Sequence, residues 1–448
     1  MENVKISFGR KLLTAVLVFL TATMLLLAAL YIGGSHFSAE GSAINLSRLP
    51  ESTVKVGGTY GENTPVYEKN LLAVSFAAIS FGGRGGGAYG NEAAAKALFE
   101  FAAEPIHFCL SSQSTLLKIS TDEFLSATYG DYLYIGFVSP LPYQILYALT
   151  GENVSTAGSD CAVNADRIIL SFPTNKTARL YISDGENCYV SNTKAQILGS
   201  AAYTLAGDSR LSDFSVKESG IAVSDASLML SLLTLKTDDA LTDTSKKKLY
   251  SLFGYEYAAE SNARSISAVA PHGSMRITAS SLSFNAAQDS GISISDFLPN
   301  AKSALDITIY DMLSGCVSLV EKIFESAPEV LKGISPYLCK FYRDGDTYTV
   351  IFGALSENVP IEGSAFPHLA KITMQNGRFK SINVRFLQIE KDNLSVPGFP
   401  SRWQYDHAAE SATVRSLYPA YRPTVLPAEN VGASWYFTGE KFSGGDRN

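Results

Sequence analysis

The chain has 448 residues, of which 46% are hydrophobic and 18% charged, with a formal net charge of −7. That balance supplies ample material for packed cores, and at about 150 residues per domain the length predicts two or three domains beyond any leader. A pI of about 5.4 leaves no basic footprint of the kind that nucleic acid or an anionic bilayer surface requires, so nucleic acid is excluded as a partner.

From Leu12 to Ala39 there is no Asp, Glu, Lys or Arg, and "LLTAVLVFLTATMLLLAALYI" is almost wholly apolar. About 20 such residues cross a hydrocarbon core of ~30 Å as a helix. Residues 12–33 are therefore expected to form one transmembrane helix. Lys5, Arg10 and Lys11 precede it and no basic residue follows until Arg48, which keeps residues 1–11 in the cytoplasm and exports the remainder. A cleaved signal peptide, with small residues at Gly33 and Ser35 for the peptidase, is the competing reading. Residues 34–58, small and polar, read as a linker.

Three extracytoplasmic domains are expected, at 59–158, 159–295 and 296–448. The first contains "ISFGGRGGGAYGNEAAAKALFEF", six glycines between an apolar run and an alanine-rich helix over Asn91–Ala103 capped by Asn91. The layout resembles a phosphate cradle, yet Asn91 and Glu92 stand where a P-loop needs Lys and Ser or Thr, and a carboxylate there repels phosphate. A flexible, solvated loop is the expectation. Ser120 and Glu123 fit a capping box, and Asp131–Pro142 reads as a strand ended by prolines.

The second domain opens on a meander, Arg167–Phe172, Thr177–Ser183 and Cys188–Ser191, with Asp184-Gly185 suited to a tight turn. A lysine-rich helix near Ser245–Phe253 follows, its Lys246, Lys247 and Lys248 read as a solvated face, then strands around Met275–Phe284. In the third domain Leu305, Ile309, Met312, Cys316, Leu319 and Ile323 make one apolar helical stripe, stopped by Pro328. Hairpins are expected around Asp344-Gly345 and Asn376-Gly377. A last strand pair, "TVRSLYPAY" with "ASWYF", ends against Trp435. The hairpins at Asp184 and Asp344 echo one another, either as a duplication or as two ordinary hairpins. Sequential hairpins with separate helices place the chain in the α+β class with antiparallel sheets.

The five cysteines and five histidines are scattered, with neither a zinc spacing nor a disulfide framework. His107 and Cys109 are the one close pair, too few for a metal, and no cofactor is expected. Ser191 and Lys194 match SxxK, the arrangement of penicillin-binding enzymes, without convincing KTG or SDN partners. Within the membrane segment Thr14/Ala15, Thr21/Ala22 and Ala28/Ala29 recur at a seven-residue period. On a helix they form a seam of small residues that lets another helix approach closely. Alanine and threonine are also common in membrane helices without such a role.

The anchor, "DYLYIGFVSPLPYQILYALTG" (Asp131–Gly151), "ADRIILSFPTNKTARLYISDGENCYV", "LFGYEYAAESNARSISAVAPHGSMRITASS" (Leu252–Ser281) and the terminal Tyr-rich strand with "LPAENVGASWYF" together resemble YycH-type regulators in their clostridial form. The glycine-rich stretch departs from that pattern. The resemblance implies a non-enzymatic membrane protein that restrains the sensor histidine kinase of the WalK–WalR two-component system, with YycI as companion. It carries no catalytic residue. The expectation is a regulator acting by contact through its transmembrane helix and ectodomain. The alternatives are an exported envelope enzyme using Ser191 and Lys194, and a module that binds wall fragments.

Overall fold

The computed structural model describes residues 72–441 apart from 91, 112–114, 151–162, 238–240, 257–264, 289, 299–306, 308, 358, 399 and 411. The expected membrane helix at 12–33, its seam residues Thr14, Ala15, Thr21, Ala22, Ala28 and Ala29, and the linker lie outside them. Among the described residues no helix is long and apolar enough to cross a membrane.

A seven-stranded antiparallel sheet comes first in the chain. Its strands are β1 (Val74–Phe81), β2 (Arg84–Tyr89), β3 (Leu116–Ile119), β4 (Tyr132–Pro142), β5 (Asn164–Thr174), β6 (Thr177–Ser183) and β7 (Cys188–Gln196), in the order β2-β1-β4-β5-β6-β7-β3. The helix α1 (Ala93–Cys109) lies across β1, β2, β4, β6 and β7 and buries Ala95, Leu98, Ala102 and Ile106. It runs past the end expected at Ala103 and contains Pro105. An internal proline costs about 3 kcal/mol; burial of Pro105, Ile106 and Cys109 on the last turns offsets it. Its N-cap is Glu92, not Asn91, and Glu92 turns its carboxylate back onto the Tyr89 amide, 2.7 Å away. The short helix α2 (Thr121–Ser126) is capped as expected, Ser120 Oγ accepting from the Glu123 amide at 3.1 Å.

The glycine stretch is the main correction. It is not a solvated loop but the hairpin strand β2, turned at Gly82 and Gly83, both at positive φ, and paired along β1 from Phe81↔Arg84 to Phe76↔Tyr89. The glycines permit close approach. A Cβ on Gly87 would stand 2.3 Å from Phe76 Cζ, one on Gly86 2.6 Å from Leu211 Cβ, and one on Gly90 1.6 Å from the Val74 carbonyl oxygen. Ser212 exchanges backbone hydrogen bonds with Gly87 at 2.7 and 2.9 Å, so a connecting segment lies directly on the strand.

The helix α3 (Tyr143–Thr150) follows β4, and α4 (Gly199–Ala206) packs on β1 and β2. A two-stranded hairpin, β8 (Phe214–Val216) and β9 (Ala222–Ser224), leads to β10 (Met229–Lys236) and the lysine-bearing helix α5 (Asp243–Leu252), capped by Thr242. An eleven-stranded sheet contains β11 (Ser265–Ala270), β12 (Gly273–Thr278), β13 (Ser281–Ala286), β14 (Ile292–Ser293), β15 (Ser335–Asp344), β16 (Thr347–Ser356), β17 (Val359–Ile361), β18 (Ala370–Gln375) and β19 (Arg378–Arg385). After β20 (Gln388–Pro397) and the helix α7 (Ser401–Ala409), β21 (Ala412–Tyr421) and β23 (Ala433–Lys441) complete that sheet. The strand β22 (Ala428–Val431) joins β20 on either side of β10 in a third sheet. Between β14 and β15, the helix α6 (Ile309–Ser326) buries Leu313, Cys316, Leu319, Val320 and Ile323 and ends before Pro328; of the expected stripe Cys316, Leu319 and Ile323 are buried, Ile309 and Met312 are half-buried, and Leu305 lies outside the described residues.

Position 158/159, expected as a boundary, falls between β4 and β5, which pair with each other; position 295/296 falls between β13 and β19, which also pair. Both large sheets thus run across boundaries drawn from the sequence. The hairpin echo resolves into two different turns. At the first, Ser183 pairs with Cys188 around a four-residue loop in which Asp184 Oδ1 accepts from the Glu186 and Asn187 amides. At the second, Asp344 pairs with Thr347 around a two-residue turn. The local register differs, which favours ordinary hairpins over duplication. Asn376 and Gly377 both adopt positive φ, as their two-residue turn requires.

Candidate functional site

The helix α7 is held onto the first sheet by a buried polar knot. Tyr89, at the end of β2, places its hydroxyl 3.0 Å from Ser401 Oγ and 3.1 Å from the Ala226 carbonyl, while Ser401 Oγ accepts from the Ser224 amide at 2.7 Å. Ser401 is 2% exposed, so these bonds are made away from water, where leaving one unmade is expensive. Burial, chiefly, holds the Tyr89 hydroxyl above the ordinary tyrosine pKa; it stays protonated and can donate. The Tyr89 ring also lies 5.4 Å from that of Trp435, which accounts for the packed end expected of the last strand pair.

Around the knot, polar pairs tie α7 to the β8–β9 hairpin. Arg402 meets Asp225 at 2.6 Å and Ser215 Oγ at 3.1 Å, Lys217 meets Asp406 at 2.7 Å, and Tyr405 Oη lies 2.7 Å from Ser219 Oγ. The Ser219 carbonyl accepts from the Arg167 guanidinium at 2.6 Å, and Arg167 is itself paired with Asp166 at 2.8 Å in the interior of the sheet. The chain of contacts runs from the centre of the seven-stranded sheet to the outer helix. On that helix Trp403 is 67% exposed, with Arg402, Asp406 and His407 along the same short segment. The Trp403 indole is a large exposed apolar surface set among charged side chains.

A second polar cluster lies where the two large sheets meet. Tyr337 and Tyr418 donate to the two carboxylate oxygens of Glu362 at 2.8 and 3.0 Å, beside a small core of Ala73, Val138, Leu355 and Ala420. Burial first, and then the nearby charge of Glu362, raise Tyr418 well above the ordinary range, so both oxygens receive a proton-bearing donor. The neighbouring Cys339 thiol is pushed up to about 12, burial again leading, which removes thiolate reactivity. This cluster is a fully satisfied structural seam.

Ser191 is in β7, wholly buried, its hydroxyl donating to the Cys109 carbonyl at 2.8 Å and accepting from the Thr193 amide at 3.1 Å. A serine nucleophile needs substrate access and a base at its hydroxyl, and this one has neither; Lys194 is cross-strand from Arg179. Cys109, Cys188, Cys316 and Cys339 are free thiols. Among the described residues no group of three His, Cys, Asp or Glu could hold a metal.

His107 stacks on the Tyr147 ring at 4.2 Å and its Nδ1 lies 3.0 Å from the Tyr147 carbonyl, so the neutral ring donates there. Burial depresses its pKa below the ordinary 6.5, the hydrogen bond only partly opposing this. The unfolded chain therefore binds the proton more readily. The contribution of His107 to stability is complete above about pH 6.5 and lost as pH falls through the depressed folded value. Thermal melts between pH 7.5 and 5.5, intervals set around that ordinary value of about 6.5, should show a shallower acid-side fall for His107→Gln than for the parent chain.

Sequence reasoning missed α7. Of its residues only Ser401 and Ala408 are buried, so it has no apolar stripe to detect, and Ser401 bonds partners as far as 312 positions away. The available signal was the rarity of tryptophan, two in the chain, with one inside a polar segment.

No family model matches the chain, and no curated protein matches it. Among solved structures it is similar to YycH from Bacillus subtilis, at 13% identity and a TM-score of 0.47, covering 84% of this chain and 95% of that one. It is also similar to an uncharacterised protein from Eubacterium rectale, at 10% identity and a TM-score of 0.31, covering 49% of this chain and 80% of the other. The class that the fold itself defines is α+β, with antiparallel sheets joined by hairpins and covered by few helices.

Proposed function

We propose that the chain is a membrane-anchored extracytoplasmic regulator that acts by contact on a sensor histidine kinase, together with a YycI-like companion protein. The observation that carries this reading is the charge-free stretch Leu12–Ala39 behind Lys5, Arg10 and Lys11, at the head of a chain whose segments resemble YycH-type regulators. The exposure of Trp403 on a helix tied down by Ser401, Arg402 and Tyr405 supports it, because a preorganised backbone loses little freedom on binding. The seam Thr14, Ala15, Thr21, Ala22, Ala28 and Ala29 meets the kinase helices, and α7 meets an extracytoplasmic surface of the same assembly. Regulation follows only if the chain binds the two signalling states of the kinase with different affinity.

Trp403→Ala tests the outer contact. Loss of a central aromatic anchor costs about 2 kcal/mol or more in binding, a drop of roughly thirtyfold in affinity. The melting temperature should stay within about a degree of the parent, since an exposed substitution changes stability by under about 0.5 kcal/mol. Unchanged recovery of the kinase with the Trp403→Ala protein from solubilised membranes would remove α7 from the interface.

A further inference from the structure

Sheet edges are normally defended against strand addition by charge, proline, bulges or a covering segment. Among the described edge strands of four or more residues, all but one follow that rule. The strand β2 is crossed by Ser212; β3 carries Lys118; β15 carries Pro336, Lys340 and Arg343 and a bulge at Leu338/Lys340; β20 carries Glu390, Lys391 and Asp392; β22 carries Glu429; β23 carries Glu440 and Lys441. The outer strand β11, Ser-Ile-Ser-Ala-Val-Ala, has no charge, proline or bulge, and among the described residues no strand covers its outer side. Its six pairs with β12 run from Ser265↔Thr278 to Ala270↔Gly273 without a shift in register, and among the described residues β12 is its only strand partner. Alternate residues of such a strand turn N–H and C=O groups outward, and Val269 is 83% exposed.

We infer that β11 is an interface between two copies of this chain, paired antiparallel about Ser267. The occupant of an open ladder is another extended strand. A strand bearing charge would find no countercharge within β11 itself, all six residues being uncharged; Arg276 on the neighbouring β12 is engaged with Ser265 Oγ at 2.9 Å. A second β11 matches in both respects: it is uncharged, and the two-fold places each Val269 opposite the small Ser265 of the other copy and Ser267 opposite itself. The interface is separate from α7 and independent of the kinase reading.

The test is disulfide trapping of the full-length protein in native membranes. Directly opposed residues of an antiparallel pair have Cα atoms ~4.5–5.5 Å apart, inside the range of about 4.4–6.8 Å that a disulfide spans. Ser267→Cys should give a disulfide-linked dimer on mild oxidation, and the exposed Ser434→Cys on β23 should not. Adding Val269→Lys, which puts on each β11 the kind of charge that defends the other edges, should abolish the dimer. Self-pairing is overturned if Ser267→Cys stays monomeric, if Ser434→Cys links equally well, if Val269→Lys leaves the dimer intact, or if Ser267→Cys is trapped on a different polypeptide.

Discussion

Gly90→Ala should leave the protein largely unfolded, whereas Gly130→Ala, with open space around its Cβ, should be nearly neutral. At Gly90 the added carbon would lie 1.6 Å from the Val74 carbonyl oxygen and 2.6 Å from its carbon, both backbone atoms of the preceding chain at β1. Backbone in the middle of a sheet cannot yield as the tip of a side chain can. The Gly90 amide donates to Ser75 O at 3.1 Å, so relieving the overlap breaks that bond and separates β2 from β1. Tyr89, which anchors Ser401, moves with it. Overpacking in a rigid setting costs about 1–3 kcal/mol and more where nothing can shift; the upper end and beyond is expected here. Urea denaturation followed by tryptophan fluorescence is suited to this, because Trp435 lies against Tyr89. A solvated glycine loop would make both substitutions equally harmless, so the difference between them decides between loop and strand.

Arg167→Met should destabilise by about 3–5 kcal/mol, the cost of leaving one member of a buried ion pair without the other. Arg167 is 4% and Asp166 8% exposed. Burial already raises the Asp166 pKa against the lowering effect of the guanidinium; without Arg167 that carboxyl is taken up protonated or not at all. The substitution also frees the Ser219 carbonyl, which receives Arg167 at 2.6 Å, and so loosens the segment beneath Tyr405. Two effects are expected together: a lower midpoint in urea, and weaker kinase recovery through the disturbed seating of α7. The double variant Asp166→Leu/Arg167→Met should regain most of the stability, since a buried pair replaced by apolar side chains is often neutral. It should not regain the kinase contact, because the Ser219 tie remains absent.

How much of this was legible depended on whether the cause was local. The turns at Asn376-Gly377 and Gly345, the cap at Ser120 and the stripe on α6 were readable because each is decided by residues a few positions apart. The strand β2 was not: glycine has low strand propensity, and its presence answers to Phe76, Leu211 and Val74, which only the folded chain brings near. The sheet connections were hidden for the same reason, β13 pairing with β19 across about a hundred intervening residues. At the candidate site, Trp403 could be noticed as rare but not as exposed, and the Tyr89–Ser401–Ser224 knot joins three polar residues that carry no motif. Ser191 shows the converse: a four-residue match with a catalytic pattern proved to be a buried strand serine with both its hydrogen bonds made.

The central claim is that the chain works by holding a kinase through its membrane segment. The most direct measurement is recovery of the sensor histidine kinase with the full-length tagged protein from detergent-solubilised membranes, comparing the parent chain with a variant in which Thr14, Ala15, Thr21, Ala22, Ala28 and Ala29 are replaced by Leu. The account predicts kinase with the parent and its loss, with altered kinase output, in the variant, while the folded part melts unchanged. Equal recovery and equal output from both chains, or no kinase with either, would contradict it.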